Sequence, residues 1–446
     1  MAKYSAARPW LQTEAFWLLV YVVLVVGPLA LLLLGERPRP GGFVWDFALA
    51  LGYASLSMMG LQFALTARFK RATAPFGIDL IYYFHRHLAS IATALLVVHA
   101  LVLLLRYPDV VGRIDPRTAP GYMTAGWVAL MAFLLLVASS LWRRLLRIEY
   151  DRWRRLHVVL AVVGLAAALW HVLGSASYLE PRWKYLLWLG LGVFWLGLVA
   201  YVRLVRPAWL LRRPWKVVEV RPERGRSWTV AVEPEQGPGL DYEAGQFAWL
   251  SLRASPFALR EHPFSIASAP SRPGRLEFTI KELGDFTRTI GSIQPGERAW
   301  VDGPYGNFGV RRFPQSPGFV FMAGGVGIAP VISVLRDLAD RGEQRSLWLF
   351  YGNRDVERIV FREELEQLAS RLNLRVVHVL GEPPEGWQGE RGFITAGVLN
   401  RHLPSDRDRL QYFVCGPEPM IRLCERSLRQ LGISLKRLHS EIFDIA

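Results

Sequence analysis

Six apolar stretches, each long enough to cross the roughly 30 Å hydrocarbon core of a bilayer as a helix, crowd the first half of this 446-residue chain. They run over Ala15–Leu34, Phe43–Leu65, Ile81–Leu105, Met123–Leu146, Trp153–Gly174 and Tyr185–Val205. The charge follows the same division. Residues 1–216 hold 24 basic and 9 acidic side chains, and the remainder holds 29 of each, so the net charge of +15 lies entirely in the apolar half. Positive charge placed there flanks lipid-spanning segments, and the neutrality of the second half argues against a nucleic-acid patch on it. Aromatic residues make up 12% of the chain, which excludes disorder. Cys415 and Cys424 are the only cysteines, too few for a disulfide framework or a multi-cysteine metal site. Any bound metal must then use histidine or carboxylate.

The loops predict an orientation. Segments on the side of the N-terminus carry 16 basic residues and those on the other side carry 7. By the positive-inside rule both termini and the second half face the cytoplasm, as in a multi-pass plasma-membrane protein. The first stretch is too long for a signal peptide and has no small-residue cleavage site, so it is expected to be retained. After Pro214 short alternating strands follow one another, including Trp215–Val220, Trp228–Glu233, Phe247–Leu252 and Leu276–Lys281, which predicts a small antiparallel barrel. From Gly318 buried strands alternate with helical stretches, the pattern of a parallel α/β domain. The expected domains are 1–212 in the membrane, 213–314 as the barrel and 315–446 as the α/β domain.

Histidine inside a lipid-spanning segment is costly and marks function. The third stretch carries His85, His87 and His99, and the fifth carries His157 and His171. His85 and His99 are 14 residues apart, as are His157 and His171. Fourteen residues bring a helix to within about 40° of four full turns and advance it about 21 Å, so each pair shares a face. His87 lies about 120° away from His99 and is the poorer partner. Two matched rungs result, His85 with His157 near the inner surface and His99 with His171 near the outer. A single membrane histidine commonly serves only a helix–helix hydrogen bond; four at duplicate spacing point to two haems, each held through both axial positions. Iron so ligated has no open site and passes single electrons. Arg86 and Arg106 either meet haem propionates or snorkel to the interface.

Two segments of the barrel suit a flavin, which needs hydroxyl and backbone donors and a helix start for its diphosphate. One is His262-Pro263-Phe264-Ser265; the other runs from Lys281 through Gly284, Asp285, Phe286 and Thr287, with Gly284 opening the expected helix. The α/β domain begins with Gly324, Gly325 and Gly327 between a strand and a helix, where glycine lets the backbone approach a dinucleotide diphosphate. Pro330 stands where the third glycine of the full fingerprint belongs. The ends of two further strands, Tyr351–Arg354 and Cys415-Gly416-Pro417, are expected at the same carboxyl edge. Cys415 is either an inert buried thiol or a nicotinamide contact, and Arg354 either pairs with the 2′-phosphate of NADPH, leaves NADH preferred, or faces solvent.

With these motifs in place the chain resembles the superfamily of ferric reductases and NADPH oxidases, in the form of a prokaryotic NADPH oxidase-like transmembrane flavocytochrome b. The resemblance rests on Tyr83-Phe84-His85-Arg86, Tyr-Asp-Arg-Trp-Arg-Arg-Leu-His at 150–157, the paired histidines, His262–Ser265, Gly303-Pro304-Tyr305-Gly306, Gly324–Pro330, Cys415–Pro417 and Phe443. It implies a six-helix transmembrane haem domain fused to a ferredoxin-reductase-like module, an antiparallel β-barrel FAD domain plus an α/β nucleotide-binding domain. It further implies His85, His157, His99 and His171 as ligands of two b-type haems, His262–Ser265 on FAD, and Phe443 stacked on the flavin. The chain departs from many relatives in continuing past Phe443 with Asp444-Ile445-Ala446. The expected activity takes a hydride from cytoplasmic NADPH or NADH to FAD and sends single electrons across the bilayer to external oxygen, giving superoxide. A ferric or cupric chelate reductase, or an electron donor to an external protein, uses the same path.

Overall fold

The computed structural model describes residues 14–34, 42–68, 78–111 and 115–442. Phe443, and the basic residues Lys3, Arg8, Arg37, Arg39, Lys70, Arg71 and Arg113 counted for orientation, lie outside the described residues. The chain forms two compact units, residues 1–207 and 208–446.

The first unit is helical: α1 Glu14–Leu32, α2 Phe43–Thr66, α3 Ile78–Arg106, α4 Gly121–Leu141, α5 Tyr150–Ser175 and α6 Arg182–Ala200, the last running into a π turn at Tyr201–Val205. Among the described residues five helices are long and apolar enough to cross a membrane. The expectation of six is met only in part. The first stretch is helical over Glu14–Leu32, and its apolar part, Phe16–Leu32, is shorter than the other five. Packing is most extensive between α2 and α3 and between α4 and α5, so the unit is built on two antiparallel helical hairpins. One apolar cluster gathers Val25, Met58, Met59, Ala92 and Phe133. A second joins Tyr53, Leu56, Leu165, Leu169, Trp188 and Trp195. Lys184 of α6 is fully buried, and its ammonium donates to the Leu32 carbonyl at 2.7 Å. A cation at a helix C-terminus satisfies carbonyls that have no intrahelical partner, which makes this burial tolerable.

The second unit carries two six-stranded sheets. The first contains β1 Trp215–Glu223, β2 Ser227–Pro234, β3 Phe247–Leu252, β4 His262–Ser265, β5 Leu276–Lys281 and β6 Arg298–Tyr305, in the antiparallel order β4-β3-β6-β1-β2-β5. It curls until its outer strands touch: Ile266 bridges Phe278, and the Ala267 amide donates to the Glu277 carbonyl at 2.7 Å. Alternating apolar residues fill the curl, including Val217, Val230, Val232, Leu250, Ile266, Phe278 and Ile280.

The second sheet contains β7 Gly318–Gly324, β8 Ser346–Asn353, β9 Leu374–Leu380, β10 Glu390–Arg391, β11 Gln411–Gly416 and β12 Leu438–Ile442, all parallel in the order β10-β9-β8-β7-β11-β12. Helices α7 Ile328–Asp340, α8 Arg362–Arg371, α9 Ala396–His402 and α10 Glu418–Gln430 pack with it. A sheet covered on both faces explains the unbroken apolar run of β7, which is buried along Gly318–Ala323. The chain leaves β7 toward β8 and returns to its other side at β11, so the strand order reverses between β7 and β11. In open α/β sheets that reversal opens a crevice at the carboxyl ends of the strands.

Candidate functional site

In the membrane unit α3 and α5 bring the expected histidines together. The rings of His85 and His157 have their centres 6.1 Å apart and are tilted by 55°. His99 and His171 line one apolar cleft among residues of α2 to α5.

Each ring is held through Nδ1. His85 Nδ1 lies 2.8 Å from Gln62 Oε1, His99 Nδ1 2.7 Å from the Ala48 carbonyl, and His171 Nδ1 2.9 Å from the Tyr122 carbonyl. Carbonyl oxygens only accept, so these three Nδ1 atoms carry the proton. Gln62 donates its amide nitrogen to the Met58 carbonyl, which orients its oxygen toward His85. His157 Nδ1 is 3.3 Å from Ser140 Oγ, whose own proton goes to the Leu136 carbonyl at 2.7 Å, so His157 donates as well. All four rings therefore present an unprotonated Nε2, the form that binds a metal.

The residues fit a haem. Two imidazole nitrogens on opposite sides of one metal sit about 4 Å apart, twice a bond of about 2 Å. Adding the ring radii brings the centres close to the 6.1 Å of His85 and His157. Among the described residues no group of three or more His, Cys, Asp or Glu gathers as a metal site. Paired imidazoles suit a metal whose remaining positions are filled by a macrocycle. His87 is exposed and bonds the Tyr83 carbonyl of its own helix at 2.8 Å, so it stands apart from both pairs. Arg86 and Arg106 are exposed.

In the second unit the two flavin segments meet. The His262 ring stacks on Phe286 with centres 3.9 Å apart and planes 16° apart, and Phe264 lies 6.3 Å from Phe286. Pro263 sits between them on β4, paired with Trp249. Ser265 is buried, and its hydroxyl has no protein hydrogen-bond partner among the described residues. An orphaned buried hydroxyl is expensive, which fits a bound polar group completing it. The helix expected at Gly284 is instead a tight turn: Thr287 Oγ1 accepts from the Leu283 and Gly284 amides at 2.8 and 2.9 Å, and a 3₁₀ helix follows at Thr287–Ser292. The hydroxyl competes for the amides that an α-helical first turn would leave free. Asp285 is exposed beside Arg288.

Lys281 Nζ lies 3.9 Å from where a Cβ on Gly325 would stand, so the curled sheet reaches the glycine turn. Burial holds its ammonium below the ordinary range, Arg358 pushing the same way and Asp355 opposing. Gly324, Gly325 and Gly327 form the turn from β7 to α7, and Pro330 sits in the first turn of α7. A Cβ on Gly327 would come within 2.2 Å of the Cys415 carbonyl, so only glycine lets this turn lie against the end of β11. The Tyr351 hydroxyl donates to the Gly325 carbonyl at 3.0 Å. Cys415 is buried and donates its thiol to the Glu441 carbonyl at 3.4 Å, followed by Gly416 and Pro417 at the start of α10. Arg354 is exposed and paired with Glu382 at 2.9 Å. The carboxyl ends of β7, β8 and β11 thus bring the expected nucleotide residues to one edge.

Three residues escape the sequence reading. Gln62 and Ser140 anchor His85 and His157, and a lone amide in an apolar stretch was a signal for the first. The third is Glu441, at the register where β12 meets Cys415. Glu441 Oε1 stands 2.8 Å from where a Cβ on Gly306 would stand, just past the end of β6.

Residues 51–168 match the family of the ferric reductase like transmembrane component, residues 216–308 an FAD-binding domain, and residues 321–426 an oxidoreductase NAD-binding domain. The stachydrine N-demethylase reductase subunit Stc4 of Rhizobium meliloti is 30% identical over 53% of this chain and 67% of its own length. Ferredoxin–NADP reductase B of Sorangium cellulosum is 32% identical over 51% of this chain and 96% of its own. Among solved structures, the Amycolatopsis cytochrome P450 reductase GcoB aligns with a TM-score of 0.46 and 23% identity over 52% of this chain and 69% of its own. The chain is an NAD(P)H-dependent flavin oxidoreductase with a membrane domain. By its three matched domains it belongs to the ferric reductase and NADPH oxidase-like family.

Proposed function

We propose that the protein is a transmembrane NAD(P)H oxidase that moves electrons from cytoplasmic NAD(P)H, with FAD and two b-type haems, to oxygen on the far side as superoxide. The observation that carries this reading is that His85, His99, His157 and His171 all have Nδ1 engaged and Nε2 available. When bound, the flavin converts a hydride's electron pair into single electrons and bis-histidine haems pass them one at a time. The chain's own residues do the positioning. The glycine turn Gly324–Gly327 and Lys281 receive the dinucleotide diphosphate, and Cys415 with Gly416 and Pro417 borders the nicotinamide. His262, Phe264 and Phe286 wall the flavin pocket, and Ser265 donates into it. The 16-to-7 excess of basic residues on the segments on the side of the N-terminus, which include the exit from the last span, supports a cytoplasmic location for the second unit.

The test is a reduced-minus-oxidised spectrum with haem and flavin stoichiometry on the purified chain, expected to give two haems and one flavin. Replacing His99 or His171 by alanine should remove one haem and abolish reduction of an external acceptor, while NAD(P)H still reduces the flavin. Fewer than two haems in the wild type, or external reduction intact in both variants, would overturn the reading. Superoxide-dismutase-sensitive dye reduction, set beside anaerobic reduction of a ferric chelate, separates oxygen from a metal chelate as acceptor.

A further inference from the structure

The two cleft histidines are anchored by one device used twice. His99 reaches the carbonyl of Ala48 on α2, and His171 reaches the carbonyl of Tyr122 on α4. In each case the residue four positions on is glycine, Gly52 and Gly126. A regular helix closes its ladder from the amide of residue i to the carbonyl of residue i−4, and its Cβ atoms tilt toward the N-terminus. The side chain of residue 52 would therefore lie over the carbonyl of residue 48, and that of residue 126 over the carbonyl of residue 122. Removing the Cβ uncovers the second lone pair of that carbonyl.

The distances bear this out. A Cβ on Gly52 would stand 2.9 Å from both Nδ1 and Cε1 of His99, and a Cβ on Gly126 would stand 2.8 Å from Nδ1 of His171. Gly52, Gly126 and both histidines line the same cleft. The other pair is held differently, by the side chains of Gln62 and Ser140, and no described glycine crowds either ring.

We propose that Gly52 and Gly126 are positioning residues for the metal centre bound by His99 and His171, opening a shared backbone carbonyl so that each ring is locked with Nε2 turned into the cleft. This rests on the haem reading above and deepens it. Imidazole donating to a good acceptor is a more basic ligand. The His99 and His171 centre has two carbonyl acceptors at 2.7 and 2.9 Å, whereas His157 has only a hydroxyl at 3.3 Å. The His99 and His171 centre is accordingly the harder of the two to reduce.

The experiment is a potentiometric titration with low-temperature electron paramagnetic resonance on the purified full chain, comparing wild type, G52A, G126A, Q62L and G190A. Alanine is the better helix former, and the atoms it would meet belong to a ring that can swing, so the helices should persist. Both glycine variants should perturb the same single haem. Its low-spin signal should shift, and its ratio of reduced to oxidised form at fixed potential should rise about tenfold, 59 mV for one electron, or its occupancy should fall. Q62L should perturb only the other haem. G190A, whose Cβ meets nothing within 4 Å, should change neither. With two haems in the wild type, a shift of both haems together or of neither in the two glycine variants would refute the glycine device and leave the haem assignment standing. A wild type with fewer than two haems would overturn both.

Discussion

Arg336 is the natural place to perturb the second unit, because one guanidinium joins its two sheets. It sits on α7 with its side chain 17% exposed. Nε and Nη2 form a bidentate pair with Glu364 of α8 at 2.6 and 2.8 Å, while Nη1 donates to Glu277 of β5 at 3.0 Å and to the Ala267 carbonyl at 2.9 Å. Ala267 lies two residues past Ser265, and α7 begins at the glycine turn, so this contact ties the proposed flavin segment to the proposed nucleotide turn. Removing one partner of a buried ion pair costs about 3–5 kcal/mol, mostly because the other charge is left unpaired. Glu277 keeps Arg275 at 3.5 Å, which argues for the lower end. For a domain of 150–250 residues each kcal/mol moves Tm by about 2–4 °C, so R336M should lower it by about 6–12 °C. Thermal release of flavin fluorescence from the full-length protein reads this directly. Adding E364Q to R336M should cost less than the two single changes summed, since no unpaired carboxylate then remains on α8. A misplacement of about 1 Å costs up to a hundredfold in rate, so flavin reduction by NAD(P)H should slow about 10–100-fold. A Tm within 2 °C of wild type together with unchanged flavin reduction would show that Arg336 does not hold the sheets in register.

Two further outcomes follow from charges outside the membrane unit. Burial, with Arg312 adding to it, pushes His439 down to about 4, and its ring packs between Phe313 and Phe413 at 4.5 and 4.9 Å. The folded value lies below the unfolded one of 6.5, so the unfolded chain binds more protons between the two. Stability from keeping this ring neutral is complete above the unfolded value and is lost as pH falls toward the folded one, about 2 kcal/mol at most by pH 5. H439F should therefore narrow the drop in Tm between pH 7.5 and pH 5, and an equal drop in both proteins would dismiss the ring as its source. At the carboxyl edge, Glu382 occupies Arg354, the residue expected to meet a 2′-phosphate. E382Q should raise the NADPH-to-NADH ratio of kcat/KM by up to about fivefold, the scale of an exposed ion pair; an unchanged ratio would place the 2′ position elsewhere.

What was legible in the sequence divides along physical lines. Period and length placed the elements, because burial on both faces makes β7 continuously apolar, while in β5 the core residues Leu276, Phe278 and Ile280 alternate with Glu277, Thr279 and Lys281. The histidine pairs were legible because a helix converts a separation of 14 residues into a shared face without reference to any neighbour. Residues defined by their neighbours were not. Glu441 gains its place only because β12 pairs with β11 in a register that sets it opposite Cys415. Ser140 matters only because α4 and α5 run antiparallel at a spacing that lets it meet His157 seventeen positions on. Gly284 misled for a related reason: glycine before a polar stretch looks like a helix start, but Thr287 caps the two amides first and closes a turn. Gly52 and Gly126 look like weak points in apolar helices when read along the chain. Their meaning lies in the lone pair they uncover for a ring on another helix, and a distance between helices is what local pattern cannot encode.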